Sequence, residues 1–288
     1  MSGKATKKNE VFSFLRYMLR RPGYAFGLAV VVVSIVLIFF GAALAPYPPE
    51  TAFSGFERLP PSWEHLFGTD SVGMDVFSRV LAGTKIDVTI ALVGTFLSVI
   101  IGIPLGLVIG YYKSFFSELI ARALDLIQSF PVFVLAMVLV AVRGGGVSNI
   151  IMAISFVNAP IYARLMRGQT LEQKNKAYVE ASKCAGNPDW VIIFKHILPN
   201  RLTPVFAQAT VNLGWAILLS AGISFIGASV QSPTAEWGLM VSMGTNEIIL
   251  GQWWTSFFPV VAIAITVLGY SLLGDALQHY LNPLERND

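Results

Sequence analysis

Six stretches of mostly apolar residues, each near the length of a bilayer crossing, limit this chain to folds that sit in lipid. A helix rises about 1.5 Å per residue, so about 20 such residues cross the hydrocarbon layer. The stretches run Tyr24–Ala45, Val88–Tyr112, Leu119–Val142, Val147–Ala163, Val205–Ile226 and Trp254–Leu273, the fourth being the shortest. Composition agrees: 55% of the 288 residues are hydrophobic and 13% are charged, about half the charge of an ordinary soluble domain.

Lysine and arginine resist translocation, so their placement sets orientation. Lys4, Lys7, Lys8, Arg16, Arg20 and Arg21 precede the first stretch, and Lys113 and Arg122 flank the next turn on that side. Arg164, Arg167, Lys174, Lys176, Lys183, Lys195 and Arg201 follow the fourth stretch, and Arg286 closes the chain. The opposite side holds only Arg58, Arg79, Lys85 and Arg143. Both termini are therefore expected in the cytoplasm. The net charge of +3 is explained by this asymmetry and does not point to nucleic acid.

The basic start and the Ala43-Leu44-Ala45 run resemble a cleavable signal peptide, but an apolar run of about 20 residues exceeds the roughly 7 to 15 of a signal core. It is read as a span. Before it, Val11, Phe12, Phe14, Leu15, Met18 and Leu19 cluster at helical spacing beside Arg16, Arg20 and Arg21, the pattern of a helix lying along the lipid interface. The chain then divides into a cytoplasmic N-terminus (1–23), a first span (24–45), an extracytoplasmic segment (46–85), a core of spans (86–275) that includes a cytoplasmic loop (164–204), and a C-terminal cytoplasmic tail (276–288).

Two segments between spans carry structure of their own. In 46–85, Pro48-Pro49 and Pro60-Pro61 stop helices, and Gly68-Thr69-Asp70 with Gly73 and Asp75 has the acceptors and glycines of a tight turn that caps a helix. A calcium loop would need ligands at fixed alternating positions and a closing glutamate, which do not follow. The 164–201 segment holds ten charged residues, each costing about 2.5 to 3.5 kcal/mol at a bilayer centre, so it lies outside the lipid. Within it, Tyr178–Ala185 is rich in helix formers, Gly186-Asn187-Pro188 interrupts, Asp189 is placed to cap, and Trp190–Ile197 resumes until Pro199. Two short helices and a tight turn make a compact protrusion. The loop from Gly227 to Trp253 carries Glu236 and Glu247 and no basic residue, and Pro233 and Gly238 suit a hairpin or re-entrant segment.

Glu180-Ala181-Ser182, Gly186 and Ile197-Leu198-Pro199 resemble the EAA loop of bacterial ATP-binding-cassette importer permeases, with Ser182 for the second alanine and His196 in the usual isoleucine position. The run Gly68-Thr69-Asp70-Ser71-Val72-Gly73-Met74-Asp75-Val76-Phe77-Ser78-Arg79 and the run Ser224-Phe225-Ile226-Gly227 to Glu236-Trp237-Gly238 are similar to the C-type permease of dipeptide, oligopeptide and nickel importers. So is the ending with Gly274-Asp275 and Asn282-Pro283. Met74 stands where that family has arginine, Ser232 and Ala235 where it has prolines, and His279 and Asn282 where it has aspartates.

The resemblance implies an all-α membrane protein of the type I importer permease fold, with six transmembrane helices, an N-terminal interfacial helix and a cytoplasmic coupling-helix loop. It implies a non-catalytic subunit in the bacterial inner membrane. Its implied partners are a second homologous permease, two cytoplasmic ATPases that bind ATP and Mg, and an extracytoplasmic substrate-binding protein. No Gly-x-x-x-x-Gly-Lys-Ser/Thr phosphate loop occurs, so the chain itself is not expected to hydrolyse ATP, and its lone cysteine and scattered histidines give no metal-ligand spacing. The implied coupling residues are Tyr178, Glu180, Ala181, Ser182, Gly186, Asn187, Pro188, His196, Leu198 and Pro199. Candidates for contact with the binding protein are Asp70, Asp75, Glu236 and Trp237. Asn158, Gln208, Asn212, Ser220 and Ser224 are candidates for the transport path, against the commoner role of hydrogen bonding between helices. Asp125 and Asp275, near cytoplasmic ends, are expected to pair with Arg122 or interfacial groups rather than relay protons.

Peptide is the expected cargo, with nickel, glutathione or oligosaccharide as alternatives. A proton-coupled secondary transporter would need ionisable groups at mid-membrane. An intramembrane enzyme would need a catalytic cluster that His65, His196 and His279, placed in loops or ends, do not form. The single Cys184 excludes an internal disulfide.

Overall fold

The computed structural model describes residues 13–281 except 229. The expectations placed on Val11, Phe12, Asn282, Pro283 and Arg286 lie outside the described residues. Residues 13–19 are helical and lead into α1 (Pro22–Leu44), α2 (Val76–Tyr111), α3 (Phe115–Ser129), α4 (Val132–Arg143), α5 (Val147–Gln173) and α6 (Ala177–Cys184). Then follow α7 (Asp189–Val191), a π-helical turn Ile192–Ile197, a 3-10 turn Pro199–Arg201, α8 (Leu202–Phe225), α9 (Trp237–Ile248) and α10 (Trp254–Leu281).

Among the described residues, α1, α2, α5, the run from Asp189 to Phe225 and α10 are long and apolar enough to cross a membrane; α3 and α4 together make a sixth crossing if a bent pair counts as one. The stretch Leu119–Val142, expected as one span, is built from two helices, α3 and α4, that meet at 94°. Phe130 is extended and Pro131 follows it, a pairing that disfavours helix at the junction. The polar face of α3 has its own ion pairs. Arg122 Nε donates to Glu118 at 3.0 Å, and Asp125 accepts from Arg164 Nη2 at 2.7 Å rather than from Arg122.

The chain forms two compact units, Met1–Ala91 with Thr210–Asp288, and Leu92–Ala209. In the first, α10 packs against α1, where Gly27 faces Leu272 and Gly269 faces Val30. The 13–19 helix meets the far end of α10 through Phe14 and Tyr280, whose ring centroids lie 5.0 Å apart, and Arg21 stacks over Tyr17 at 5.0 Å.

In the second unit, small residues recur at every fourth position of α2: Gly94, Ser98, Gly102, Gly106 and Gly110. This ridge lets the α2 backbone approach α5 closely. Ser98 Oγ donates to the Gly94 and Ser155 carbonyls, and Lys174 Nζ donates to the Gly110 carbonyl at 3.3 Å. α5 runs to Gln173, ten residues past its expected end, because Thr170 and Gln173 stay buried beyond the apolar run.

Candidate functional site

The protrusion grows from the Leu92–Ala209 unit. A buried core of Ile103 and Leu107 from α2, Tyr162 and Met166 from α5, Val179 from α6, Ile192, Ile193 and Ile197 from the π turn, and Val205 from α8 joins its two short helices to the long ones. At about 25 cal/mol per Å² of apolar surface removed from water, and about 1.5 to 3 kcal/mol per large side chain, this core fixes the protrusion to the spanning helices as one body.

Polar contacts fix its edges. Gly186 adopts φ +75°, the left-handed conformation that ends a helix cheaply only for glycine, and its position has open space around it. Asn187 donates from Nδ2 to Ser182 Oγ at 3.1 Å and from its backbone N to the Ser182 carbonyl at 3.2 Å, closing the turn. Pro188 is the residue preceding α7, which has no side-chain cap. The expected capping by Asp189 is thus corrected: its carboxylate accepts instead from the Tyr111 hydroxyl at 2.7 Å. Arg201 Nη2 donates to Glu172 at 2.6 Å, and Tyr178 OH to Gln173 Oε1 at 3.0 Å.

The face turned away from this root is open. Tyr178, Glu180, Ala181, Gly186, Asn187, Pro188 and Pro199 are exposed, and Trp190 is 67% exposed with Phe194 beside it also open. His196 and Leu198 are half-buried, and Ser182 is buried under Asn187. Rooted on one side, the protrusion presents Trp190 and Phe194 among exposed charged and polar residues such as Glu180, Lys183 and Lys195 on the other.

Residues 102–287 match the family described as the binding-protein-dependent transport system inner membrane component. The chain belongs to this family. It is similar to the glutathione transport system permease protein GsiD of Pectobacterium atrosepticum, 36% identical over 270 residues, 93% of this chain and 89% of the relative. It is 40% identical over 254 residues to the probable D,D-dipeptide transport system permease protein DdpC of Escherichia coli, covering 88% and 85%. Among solved structures, an inward-facing MetNI methionine transporter aligns with a TM-score of 0.57 at 18% identity, covering 71% of this chain and 97% of that one. That likeness shows the type I permease fold.

The permease's second candidate region lies in the other unit, where the α1–α2 segment meets the α8–α9 loop. Its hub is Arg79, 1% exposed, whose guanidinium donates to the carbonyls of Pro49 and Pro233 at 3.0 Å and of Thr234 at 3.4 Å, and to Met74 Sδ. Asp70 Oδ1 accepts from Val72 N and Met74 N, and its Oδ2 stands 3.9 Å from Arg79 Nε. Burial pushes the Asp70 carboxyl above its ordinary value, against the pull of these amides and of Arg79. Asp75 caps α2 by accepting from Ser78 N at 2.7 Å, and its other oxygen meets His65 Nδ1 at 2.9 Å. Trp254 Nε1 donates to the Thr69 carbonyl at 3.1 Å, and Ser71 N donates to Glu247.

Three of the four residues read as contacts for a binding protein are enclosed here. Asp75, Glu236 and Trp237 are buried, so they position the loop rather than touch an arriving protein. Glu236 caps α9 with both oxygens, on Gly238 N and Leu239 N. Trp237 inserts its indole against Gly83 and donates from Nε1 to the Val80 carbonyl at 3.0 Å.

Of the path candidates, Asn158, Asn212, Ser220 and Ser224 are buried within the chain, so they do not face an open path; Gln208 is half-buried. Sequence reasoning missed Arg79 as a hub, Tyr111 as a partner of the protrusion, the small-residue ridge and Asp87. The four-residue glycine spacing was a readable signal for the ridge, and a carboxylate at the edge of an apolar run was one for Asp87.

Proposed function

We propose that this permease is one of two membrane subunits of an ATP-driven importer of short peptides, glutathione among them. The protrusion 177–201 is the lever that partner ATPases move. The carrying observation is the buried core from Ile103 to Val205, which makes the lever continuous with spanning helices. ATP and Mg bind to the ATPase partners, and an extracytoplasmic binding protein delivers the cargo. Lysine and arginine placement supports a cytoplasmic protrusion and cytoplasmic termini, with the Arg79 hub on the extracytoplasmic side. ATPase closure pulls the lever and rocks α2, α5 and α8 between two packed states, a rigid-body switch. The names of the GsiD and DdpC relatives support the peptide class.

The test is transport of labelled dipeptide and glutathione by the complex in liposomes. Uptake should require binding protein and internal Mg-ATP. Uptake that persists without an ATPase subunit would overturn the mechanism, and ATP-dependent uptake of a non-peptide alone would overturn the cargo.

A further inference from the structure

Asp87 and Glu236 are both fully enclosed in the unit that contains the Arg79 hub, and they meet at the first turn of α9. Asp87 Oδ2 accepts from Trp237 N at 3.1 Å, and Glu236, the residue before it, accepts from Gly238 N and Leu239 N. The two carboxyl groups thus sit on adjacent amides of one buried turn, and Asp87 Oδ1 has no hydrogen-bond partner. Two like charges this close in an enclosed site disfavour each other's ionisation, which leaves a proton on one of the pair.

The surroundings supply little else to hold two negative charges. From α2, Arg79 faces the loop but donates to the Pro233 and Thr234 carbonyls, and Lys85 is exposed. From the α1–α2 segment, Glu50 accepts from Ala235 N at 3.4 Å, adding negative charge. α8 places the buried Ser224 beside this turn, its Cβ 2.7 Å from where a Cβ on Gly238 would stand. α1 and α10 approach Trp237 with uncharged residues, Val33 and Ile265 among them. Burial raises the Glu236 carboxyl above its ordinary value, with the Asp87 contact and the α9 amides opposing. The fit is close: a Cβ on Gly238 would stand 2.5 Å from the Ala221 carbonyl oxygen, so the loop has one seat on α8.

We propose that Asp87 and Glu236 form a single-proton site that latches the α8–α9 loop onto α2. While the pair holds one proton, the loop stays seated. When both ionise, their repulsion in a dry site lifts Trp237 and frees the first turn of α9. The sign follows from a carboxyl that is harder to ionise when seated: the latch is whole at acid pH and weakens as pH rises through the pair's titration. In the orientation proposed above, acidity outside the cell sets its occupancy.

Hydrogen exchange of the assembled importer in nanodiscs, followed from about pH 5 to about pH 9 and corrected for chemical exchange rates, reads the latch directly. Protection of the Trp237–Met240 amides should fall about tenfold per pH unit once the pair titrates, one proton being lost on opening. Buried α10 amides serve as the reference and should hold. Asp87→Asn keeps an acceptor for Trp237 N and removes one of the two charges, so protection should become independent of pH. Glu236→Gln gives the same reading if that variant does not assemble. Wild-type protection that stays flat while the reference holds would overturn the proposal, and so would either variant following the wild-type profile.

Discussion

A Cβ placed on Gly102 would stand 2.5 Å from the carbonyl oxygen of Ala159, backbone against backbone where α2 crosses α5. The same obstruction recurs one turn on, at Gly106 against the Ala163 carbonyl, and at Gly110 against the Arg167 carbonyl and the Thr170 Cβ. Neither helix can yield without disturbing the core that roots the protrusion. Gly106→Leu should therefore destabilise the complex by at least about 1 to 3 kcal/mol and lower its melting temperature. Gly168→Leu, where a Cβ meets nothing, should leave the melting temperature near wild type. Equal effects at the two sites would remove the ridge from the account.

Gly186 tests the lever by backbone strain rather than by bulk. Its φ of +75° costs a β-branched residue about 1 to 2 kcal/mol, while asparagine tolerates the conformation better. Gly186→Val should lower substrate-stimulated ATPase activity in the assembled complex, and Gly186→Asn should retain most of it. Open space around the site means that folding of the long helices should be unaffected, which circular dichroism checks.

The two kinds of contact at the root of the protrusion should differ in weight. Ile193→Ala removes a buried side chain from the core and should cost about 2 to 5 kcal/mol. Tyr111→Phe removes only a hydrogen bond to an exposed carboxylate and should cost about 0.5 to 1.5 kcal/mol. Thermal melts of the purified complex order the two.

The protrusion was legible because charge cannot sit in lipid and because Gly186-Asn187-Pro188 breaks a helix by its own chemistry. The spans were legible as length and apolarity. The corner between α3 and α4 was hidden because apolar residues continue through Phe130 and Pro131, so a count of hydrophobicity sees one stretch where the backbone makes two. Glu118, Arg122 and Asp125 on α3 were its signals: Arg122 pairs with Glu118 one turn back, while Glu118 and Asp125 reach Arg167 and Arg164, far along the chain. Arg79 was opaque for a related reason. It reads as one of few cations on its side, and only the folded chain brings Pro49, Pro233 and Thr234 to it. Burial of Glu236 and Trp237 likewise depends on Gly83 and Gly238 leaving room, a property of paired surfaces rather than of either segment.

Arg79 is the group whose loss should be felt farthest from its own helix. Its guanidinium satisfies three backbone carbonyls from two segments more than 150 residues apart in sequence. Arg79→Ala leaves those buried acceptors without a donor and Asp70 without its nearest cation, at a cost of roughly 3 to 5 kcal/mol. Arg79→Lys restores the charge but not the planar fork, so it should recover only part of the loss. Limited proteolysis of the complex should then cut the α8–α9 loop and the α1–α2 segment together, faster in the alanine variant than in the lysine one. Protection of the protrusion should stay as in wild type, because its root is a separate core. Cleavage confined to one of the two segments would show that they are not joined through Arg79.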